Sequence, residues 1–149
     1  MGEIINQTRQ LSHILHPSYL EKIGLTRSIA SLAERIQKGT GIICSYDIDE
    51  KVETFSLEAQ TQLYRITQES INNTVKHAKA TALKVSISRN NGGYIFEYMD
   101  NGKGLDESNN INEGIGMHTI RERALKINGK AIFSDNKGKG FKCIIKFEV

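Results

Sequence analysis

Three side chains near the middle of the chain could together bind a metal ion and a phosphate. Glu69, Asn73 and Lys76 are spaced by four and three residues, so at about 100° per residue they share one face of a helix, opposite Ile71 and Val75. Carboxylate and carboxamide oxygens are ligands for Mg²⁺, and an ammonium group is a point charge suited to phosphate. An ordinary amphipathic helix with a solvated polar face would show the same pattern.

Three glycine-rich segments further along the chain favour the chemical interpretation. Glycine lets a backbone turn sharply or approach a ligand closely, and Gly116 precedes a predicted helix whose free amides would form an anion site. The segments are residues 100–104 (DNGKG), 114–116 (GIG) and 138–140 (GKG). Neither GxxxxGK[ST] nor a complete GxGxxG after a strand is present, which disfavours a P-loop or a dinucleotide-binding fold.

Length and composition indicate one soluble domain. A chain of 149 residues is long enough to bury a core without staples. The net charge of +3 comes from scattered Lys and Arg, so we expect no nucleic-acid partner. No apolar run approaches the roughly 18 residues of a membrane span and the polar start does not resemble a signal peptide, which predicts a cytoplasmic location without membrane contact. Cys44 and Cys143 have no Cys or His at metal spacing and are expected to be buried free thiols.

The elements that would position these residues follow from periodicity and turn signals. Ser56 is the predicted N-cap of the long helix that carries the polar face to about Ala78. The other predicted helices cover residues 4–15, a restart after Pro17, 25–36 with a stop at 39–41, and 117–127. The predicted strands cover residues 42–46, 85–89, 94–99, 131–134 and 141–149, with a tight turn at residues 91–93. Residues 106–113 are too polar to pack and are expected to form a mobile loop. This order predicts an α+β two-layer sandwich with helices on one face of a mixed, largely antiparallel sheet.

Taken in order, these segments resemble the ATP-binding catalytic domain of sensor histidine kinases, within the superfamily that also holds gyrase, Hsp90 and MutL. Residues 65–78 look like the N box of that family, and the three glycine-rich segments look like its glycine boxes, the second extending to residue 124. Residues 15–25 resemble the junction with the dimerising helical hairpin in the branch of nitrate-sensor and membrane-fluidity thermosensor kinases, with His16 in place of the usual Arg. The resemblance divides the chain into a hairpin end and junction, residues 1–24, and a catalytic domain, residues 25–149.

The resemblance implies roles for the N box and the first glycine box. Asn73 would ligate magnesium and Lys76 would contact phosphate. Asp100 would accept a hydrogen bond from the adenine amino group, which excludes guanine because guanine presents an acceptor at that edge. Gly102 and Gly104 would let the backbone approach the base and ribose.

The second box and the flanking residues take further implied roles. Gly114 and Gly116 would free the loop that closes over the triphosphate. Met117, His118 and Thr119 would complete the nucleotide site, His118 through its amide. His77 would support the N-box helix beside the site. Glu69 would be the catalytic carboxylate, as in ATP-hydrolysing relatives where the equivalent residue orients or deprotonates water, whereas kinases of this branch favour as the base an acidic residue beside the acceptor histidine. Two positions depart from the family pattern. Phe141 stands where the family often has Thr after the third glycine box, and Thr119 stands where it often has a small residue.

The function implied is binding of ATP and Mg²⁺ and transfer of the γ-phosphate to a histidine. That histidine is expected on a helix well upstream of Leu11, outside this chain, with a response regulator aspartate as the next acceptor; His13 and His16 are expected to be structural or exposed. The partners would be the phosphoacceptor helical domain of the full-length kinase and a receiver domain, and a membrane anchor of the full-length protein is left open. The alternative is an anti-sigma-type serine kinase or a regulatory ATP-binding module; a gyrase or Hsp90-like ATPase is disfavoured.

Overall fold

The computed structural model describes residues 17–104, 115–135 and 139–149. The predicted helix at residues 4–15 and the predicted loop at residues 106–113 lie outside the described residues. The helices are α1 (Pro17–Ile23), α2 (Leu25–Thr40), a 3₁₀ turn (Glu50–Thr54), α3 (Leu57–Asn73) with a π-helical turn (Thr74–Ala78), and α4 (Ile115–Leu125). The strands are β1 (Ile43–Ile48), β2 (Ala82–Asn90), β3 (Gly93–Asp100), β4 (Lys130–Asp135) and β5 (Phe141–Phe147).

The five strands form one mixed sheet in the order β1-β2-β3-β5-β4. Only the β1–β2 pair is parallel, and the remaining three pairs are antiparallel. Asn91 and Gly92 connect β2 to β3 with positive φ angles of 45° and 89°, which confirms the predicted tight turn and is typical of a type I′ hairpin. The predicted α+β fold class with a mixed, largely antiparallel sheet is confirmed.

The core lies between the sheet and helices α2, α3 and α4. Alternate residues of the central strands are buried in one cluster with the apolar faces of these helices, because successive side chains of a strand point to opposite faces. The fully buried large side chains include Leu25, Ile29, Leu32, Leu63, Ile66, Ile71, Ile87, Phe96, Tyr98 and Ile120. Leu20 of α1 belongs to the same cluster, so α1 packs against the domain that α2 begins.

Local signals set the helix ends. Ser56 caps α3 as predicted, with its hydroxyl accepting a hydrogen bond of 3.1 Å from the Ala59 amide. Helix α2 ends within the predicted stop at residues 39–41, where Gly41 adopts a φ of +79° and its amide donates to the Gln37 carbonyl. Helix α4 begins at Ile115, two residues before the predicted start. In the described ranges no helix combines the length and apolar composition needed to cross a bilayer.

The long helix does not stay α-helical over its whole predicted length to Ala78. It is α-helical as far as Asn73 and then forms a π-helical turn that ends at Lys79, whose φ is +50°. The uniform period of about 100° per residue, on which the shared face of Glu69, Asn73 and Lys76 rests, is therefore wrong for the last turn. Turns of this kind are wider and often mark functional sites.

Candidate functional site

The carboxylate of Asp100 is the centre of the candidate site. Asp100 ends β3 and is only 6% exposed. Its Oδ1 accepts hydrogen bonds from the Gly102 amide at 2.9 Å and from the Phe141 amide at 3.1 Å. A buried carboxylate needs such donors to offset its desolvation, and here they fix the orientation of the carboxylate.

The second oxygen of Asp100 is bound by a residue that sequence reasoning missed. The Thr74 hydroxyl donates to Asp100 Oδ2 at 2.7 Å, and the Tyr98 hydroxyl lies 2.5 Å from Thr74 Oγ1. Burial raises the pKa of the Tyr98 phenol well above its usual value, so the phenol keeps its proton. The sequence does carry a signal for this role of Thr74. It is a polar residue on the helix face that is buried with Ile71 and Ala78, and a buried hydroxyl needs a hydrogen-bond partner.

The first glycine box docks onto the π-helical turn. The Lys103 amide donates to the Ala78 carbonyl at 2.8 Å, and a Cβ on Gly102 would collide with that same carbonyl. Only glycine therefore allows this approach of the two backbones. The Asn101 side chain holds the other side of the loop, where its Oδ1 accepts from the Thr81 and Ala82 amides at 2.9 Å each.

The third glycine box closes against the first. Gly140 has a φ of +129°, and a Cβ there would collide with the Asp100 carbonyl. Gly104, with a φ of +74°, would meet the Asp135 carboxylate in the same way. Phe141, which departs from the family pattern, contributes its backbone amide to Asp100, while its ring stacks on Phe133 at 5.8 Å between centroids. The departure leaves the contact with Asp100 intact because the contact is made by the backbone.

The second glycine box meets the N box at Asn73. A Cβ on Gly116 would lie 2.8 Å from Asn73 Oδ1, so the half-buried carboxamide sits directly against the start of α4. Gly116 and Met117 lie in the first turn of α4, whose amides have no acceptor within the helix. Gly114 lies outside the described residues. Glu69 lies one turn before Asn73 on α3 and is half-buried.

Two arginines fix α4 in this position. Arg123 Nη1 donates to Gln62 Oε1 of α3 at 3.0 Å. Arg121 Nη1 donates to the Ala131 carbonyl of β4 at 3.0 Å, and its guanidinium lies 4.7 Å from the centroid of the Phe133 ring. Helix α4 is thereby held between α3 and β4, which fixes where its first turn meets Asn73.

The remaining predicted residues divide into two groups. Lys76 and His77 are exposed on the π-helical turn. His118 is also exposed, and its Nε2 lies 3.1 Å from Glu122 Oε1 one turn later in α4. Thr119 is half-buried, and Met117 packs against the core cluster. The described structure thus brings Asn73 and Asp100 together with residues of the three glycine segments, and it leaves the side chains of Lys76, His77 and His118 exposed.

This arrangement can accept a hydrogen bond from a ligand. An ionised carboxylate accepts about four hydrogen bonds, and the described residues supply three to Asp100, of which Oδ2 takes one. The remaining lone pair of Oδ2 suits an N–H donor such as an exocyclic amine. The Asn73 carboxamide is one neutral oxygen ligand, which fits Mg²⁺ because that ion usually keeps several waters and takes its other ligands from substrate phosphates.

Comparison with known proteins assigns the family. Residues 58–149 match the family described as histidine kinase-, DNA gyrase B-, and HSP90-like ATPases. The chain therefore belongs to this ATPase family, and the prediction of an ATP-binding catalytic domain of the sensor histidine kinase type is confirmed. Membership of an ATPase family implies ATP as the ligand of the domain.

Curated relatives are sensor kinases much longer than this chain. Sensor histidine kinase ComP of Bacillus subtilis is 29% identical over 151 residues, which span all of this chain and 20% of ComP. Oxygen sensor histidine kinase NreB of Staphylococcus carnosus is 30% identical over 150 residues, which span all of this chain and 43% of NreB. The chain thus spans less than half the length of these relatives.

Solved structures show the same fold at low identity. The histidine kinase domain of the blue-light activated histidine kinase EL346 from Erythrobacter litoralis has a TM-score of 0.69 and 20% identity, covering 83% of this chain and 64% of that one. Histidine kinase AdeS of Acinetobacter baumannii has a TM-score of 0.65 and 16% identity, covering 97% of this chain and 76% of that one. These similarities support the fold alone.

Proposed function

We propose that this chain binds ATP with Mg²⁺ and presents the γ-phosphate to a histidine on a separate helical segment of the same kinase. A response regulator aspartate would then take the phosphoryl group, and the reaction would take place in the cytoplasm. The observation that carries the proposal is the buried Asp100 carboxylate, held by two amides and one hydroxyl with acceptor capacity remaining on Oδ2. The names of the relatives ComP and NreB support the kinase assignment.

The base would be recognised by Asp100 and the two glycines after it. Asp100 Oδ2 would accept from the 6-amino group of adenine, and the backbone of Gly102 and Gly104 would lie beside the base and ribose. The structural support is the direct contact of Gly102 with the Ala78 carbonyl, which fixes this loop beside the N box.

The triphosphate would lie between Asn73 and the first turn of α4. Asn73 would supply one oxygen to Mg²⁺, and the ion would neutralise charge on the phosphates when bound. The glycines Gly114 and Gly116 would permit close approach of the loop, and the amides of Gly116 and Met117 would donate to phosphate oxygens. Lys76, exposed on the π-helical turn, is long enough to reach a phosphate from solvent.

The other site residues have secondary parts in the proposal. Glu69, half-buried one turn before Asn73, would orient or take the proton of the attacking group. His77 would support the π-helical turn, and His118 and Thr119 would flank the phosphates from α4. With little covalent chemistry for the domain to perform, positioning and charge neutralisation would account for the transfer.

The domain boundary at residue 24 stays part of the proposal. Residues 1–24 would be the end and junction of the dimerising hairpin and residues 25–149 the catalytic domain. Gly24 separates α1 from α2 with a φ of +85°, and Glu53 caps the second helix by accepting from the Leu25 and Thr26 amides. Leu20 nevertheless belongs to the core of the catalytic domain.

Phosphoryl transfer from γ-labelled ATP tests the proposal. The chain alone should bind ATP with Mg²⁺ but stay unlabelled, whereas a phosphoacceptor helical domain added in trans should acquire label that acid removes. Acid-stable label on an added protein would instead support the serine kinase of the anti-sigma type. Nucleotide binding without transfer to any acceptor helix would support the regulatory module.

A further inference from the structure

Three buried side chains form a continuous polar chain behind the proposed base site. Tyr98, Thr74 and Asp100 are 0%, 2% and 6% exposed. The Tyr98 hydroxyl lies 2.5 Å from Thr74 Oγ1, which lies 2.7 Å from Asp100 Oδ2. A buried polar network of this kind offsets the free energy of its desolvation only when every polar group in it has a hydrogen-bond partner.

The hydrogen-bond direction in this chain follows from counting protons. The Thr74 hydroxyl has one proton and three oxygens in reach that could accept it: the Tyr98 hydroxyl at 2.5 Å, Asp100 Oδ2 at 2.7 Å and the Ser70 carbonyl at 3.2 Å. A carboxylate is a stronger acceptor than a hydroxyl or a carbonyl, so Thr74 donates to Asp100. Tyr98 must then donate to Thr74, since the one proton of Thr74 is already used.

We propose that Thr74 and Tyr98 are positioning residues that hold Asp100 Oδ2 as a hydrogen-bond acceptor and so select 6-aminopurine over 6-oxopurine nucleotides. This inference rests on the proposed function, in which Asp100 recognises adenine. With the Tyr98 and Thr74 protons both directed toward the carboxylate, Oδ2 can only accept from the base. Without them, Asp100 would lose the donor that fixes Oδ2, and the carboxylate could rotate away from the position in which it accepts from a 6-amino group.

Nucleotide affinity of a Thr74→Val variant tests the inference. Valine keeps the shape of threonine but removes the hydroxyl. Calorimetry with Mg²⁺ would compare ATP, inosine triphosphate and purine riboside triphosphate, which lacks the 6-amino group. We expect ATP to bind about ten-fold more weakly to the variant, with purine riboside triphosphate nearly unchanged and the preference for ATP over inosine triphosphate reduced.

Three further variants separate positioning from general stability. Thr67→Val makes the same change at a fully buried threonine of α3 whose hydroxyl donates within the helix, to the Leu63 carbonyl at 2.8 Å. It should lower thermal stability without changing the ratio of the nucleotide affinities. Thr74→Ser restores a hydroxyl and should restore the ratio. Tyr98→Phe keeps the ring in the core and should reduce the ratio less than Thr74→Val, because it leaves the direct donor in place.

The outcomes are distinct. Equal loss of affinity for all three nucleotides in Thr74→Val, or an unchanged preference for ATP, would overturn the positioning role while the proposed function stands. If Thr74→Val does not fold, the ratio in Thr74→Ser and Tyr98→Phe decides: a ratio that Tyr98→Phe leaves at the wild-type value overturns the inference. A wild-type chain that binds no adenine nucleotide would overturn the proposed function, and the inference with it.

Discussion

The Asn73 carboxamide lies against Gly116, where the end of α3 meets the start of α4. A Cβ at position 116 would be 2.8 Å from Asn73 Oδ1, closer than a Cβ carbon approaches another heavy atom without a shift, and 3.0 Å from Nδ2. The absence of a side chain at position 116 therefore determines where the proposed magnesium ligand can lie. The N box and the second glycine box form one structural unit at this point.

Replacing Gly116 by alanine should displace this ligand without unfolding the domain. The added methyl group must push the Asn73 carboxamide aside, at a cost of about 1–2 kcal/mol typical of overpacking. We expect weaker ATP binding in the presence of Mg²⁺ and a smaller change in its absence, both measured by calorimetry. Gly39→Ala, the same change at the exposed end of α2, is the control. An equal effect of both substitutions would contradict the prediction.

Removing the Asn73 side chain should stop phosphoryl transfer. Asn73→Ala deletes the proposed magnesium ligand, and we expect transfer to an acceptor helix in trans to fall by roughly 100-fold or more. Asn73→Asp should keep the fold and alter the magnesium dependence of binding, because it adds a charge beside the triphosphate. Asn72→Ala, at the adjacent half-buried position of α3, should leave transfer close to wild type. An active Asn73→Ala protein would remove this residue from the metal site.

The Asp100→Asn substitution should selectively weaken the binding of adenine nucleotides. The side-chain oxygen of asparagine can still accept the hydrogen bonds of the two backbone amides that donate to Oδ1. Its side-chain nitrogen, however, would present a donor to the adenine amino group, which is itself a donor. We expect a loss of about 1–3 kcal/mol in ATP binding, with purine riboside triphosphate less affected. Asp47→Asn, an exposed position of β1, controls for the change in charge. Unchanged ATP affinity in a folded Asp100→Asn protein would mean that the first glycine box is only a turn and does not recognise the base.

The reactivity of Cys44 should keep rising with pH well above the ordinary thiol range. Burial raises the pKa of the Cys44 thiol to about 11 and that of Cys143 to about 12. Since the thiolate is the nucleophile, a raised pKa lowers the reactive fraction at every pH below it. Alkylation of Cys44 in a Cys143→Ala protein should therefore accelerate about ten-fold per pH unit from 7 to 10. The same protein in denaturant should level off near pH 9, and a native plateau there would contradict the prediction.

The sequence by itself determined the features that depend on neighbouring residues. The Ser56 cap and the Asn91–Gly92 turn are local, and both were confirmed. The order of the elements and the spacing of the boxes were sufficient for the family and the α+β class. The end of α2 is also local: the predicted stop at residues 39–41 is confirmed, because Gly41 adopts the positive φ that breaks the helix.

Only the tertiary structure decided how the site is held together. The π-helical turn depends on Thr74 bonding to Asp100, 26 residues away, and on Ala78 accepting from Lys103 of the first glycine box. Phe141, 41 residues from Asp100, completes the carboxylate contacts through its backbone amide, which no side-chain pattern reveals. Helical period and turn chemistry act over a few residues, whereas these bonds join chain segments that meet only after the sheet has formed.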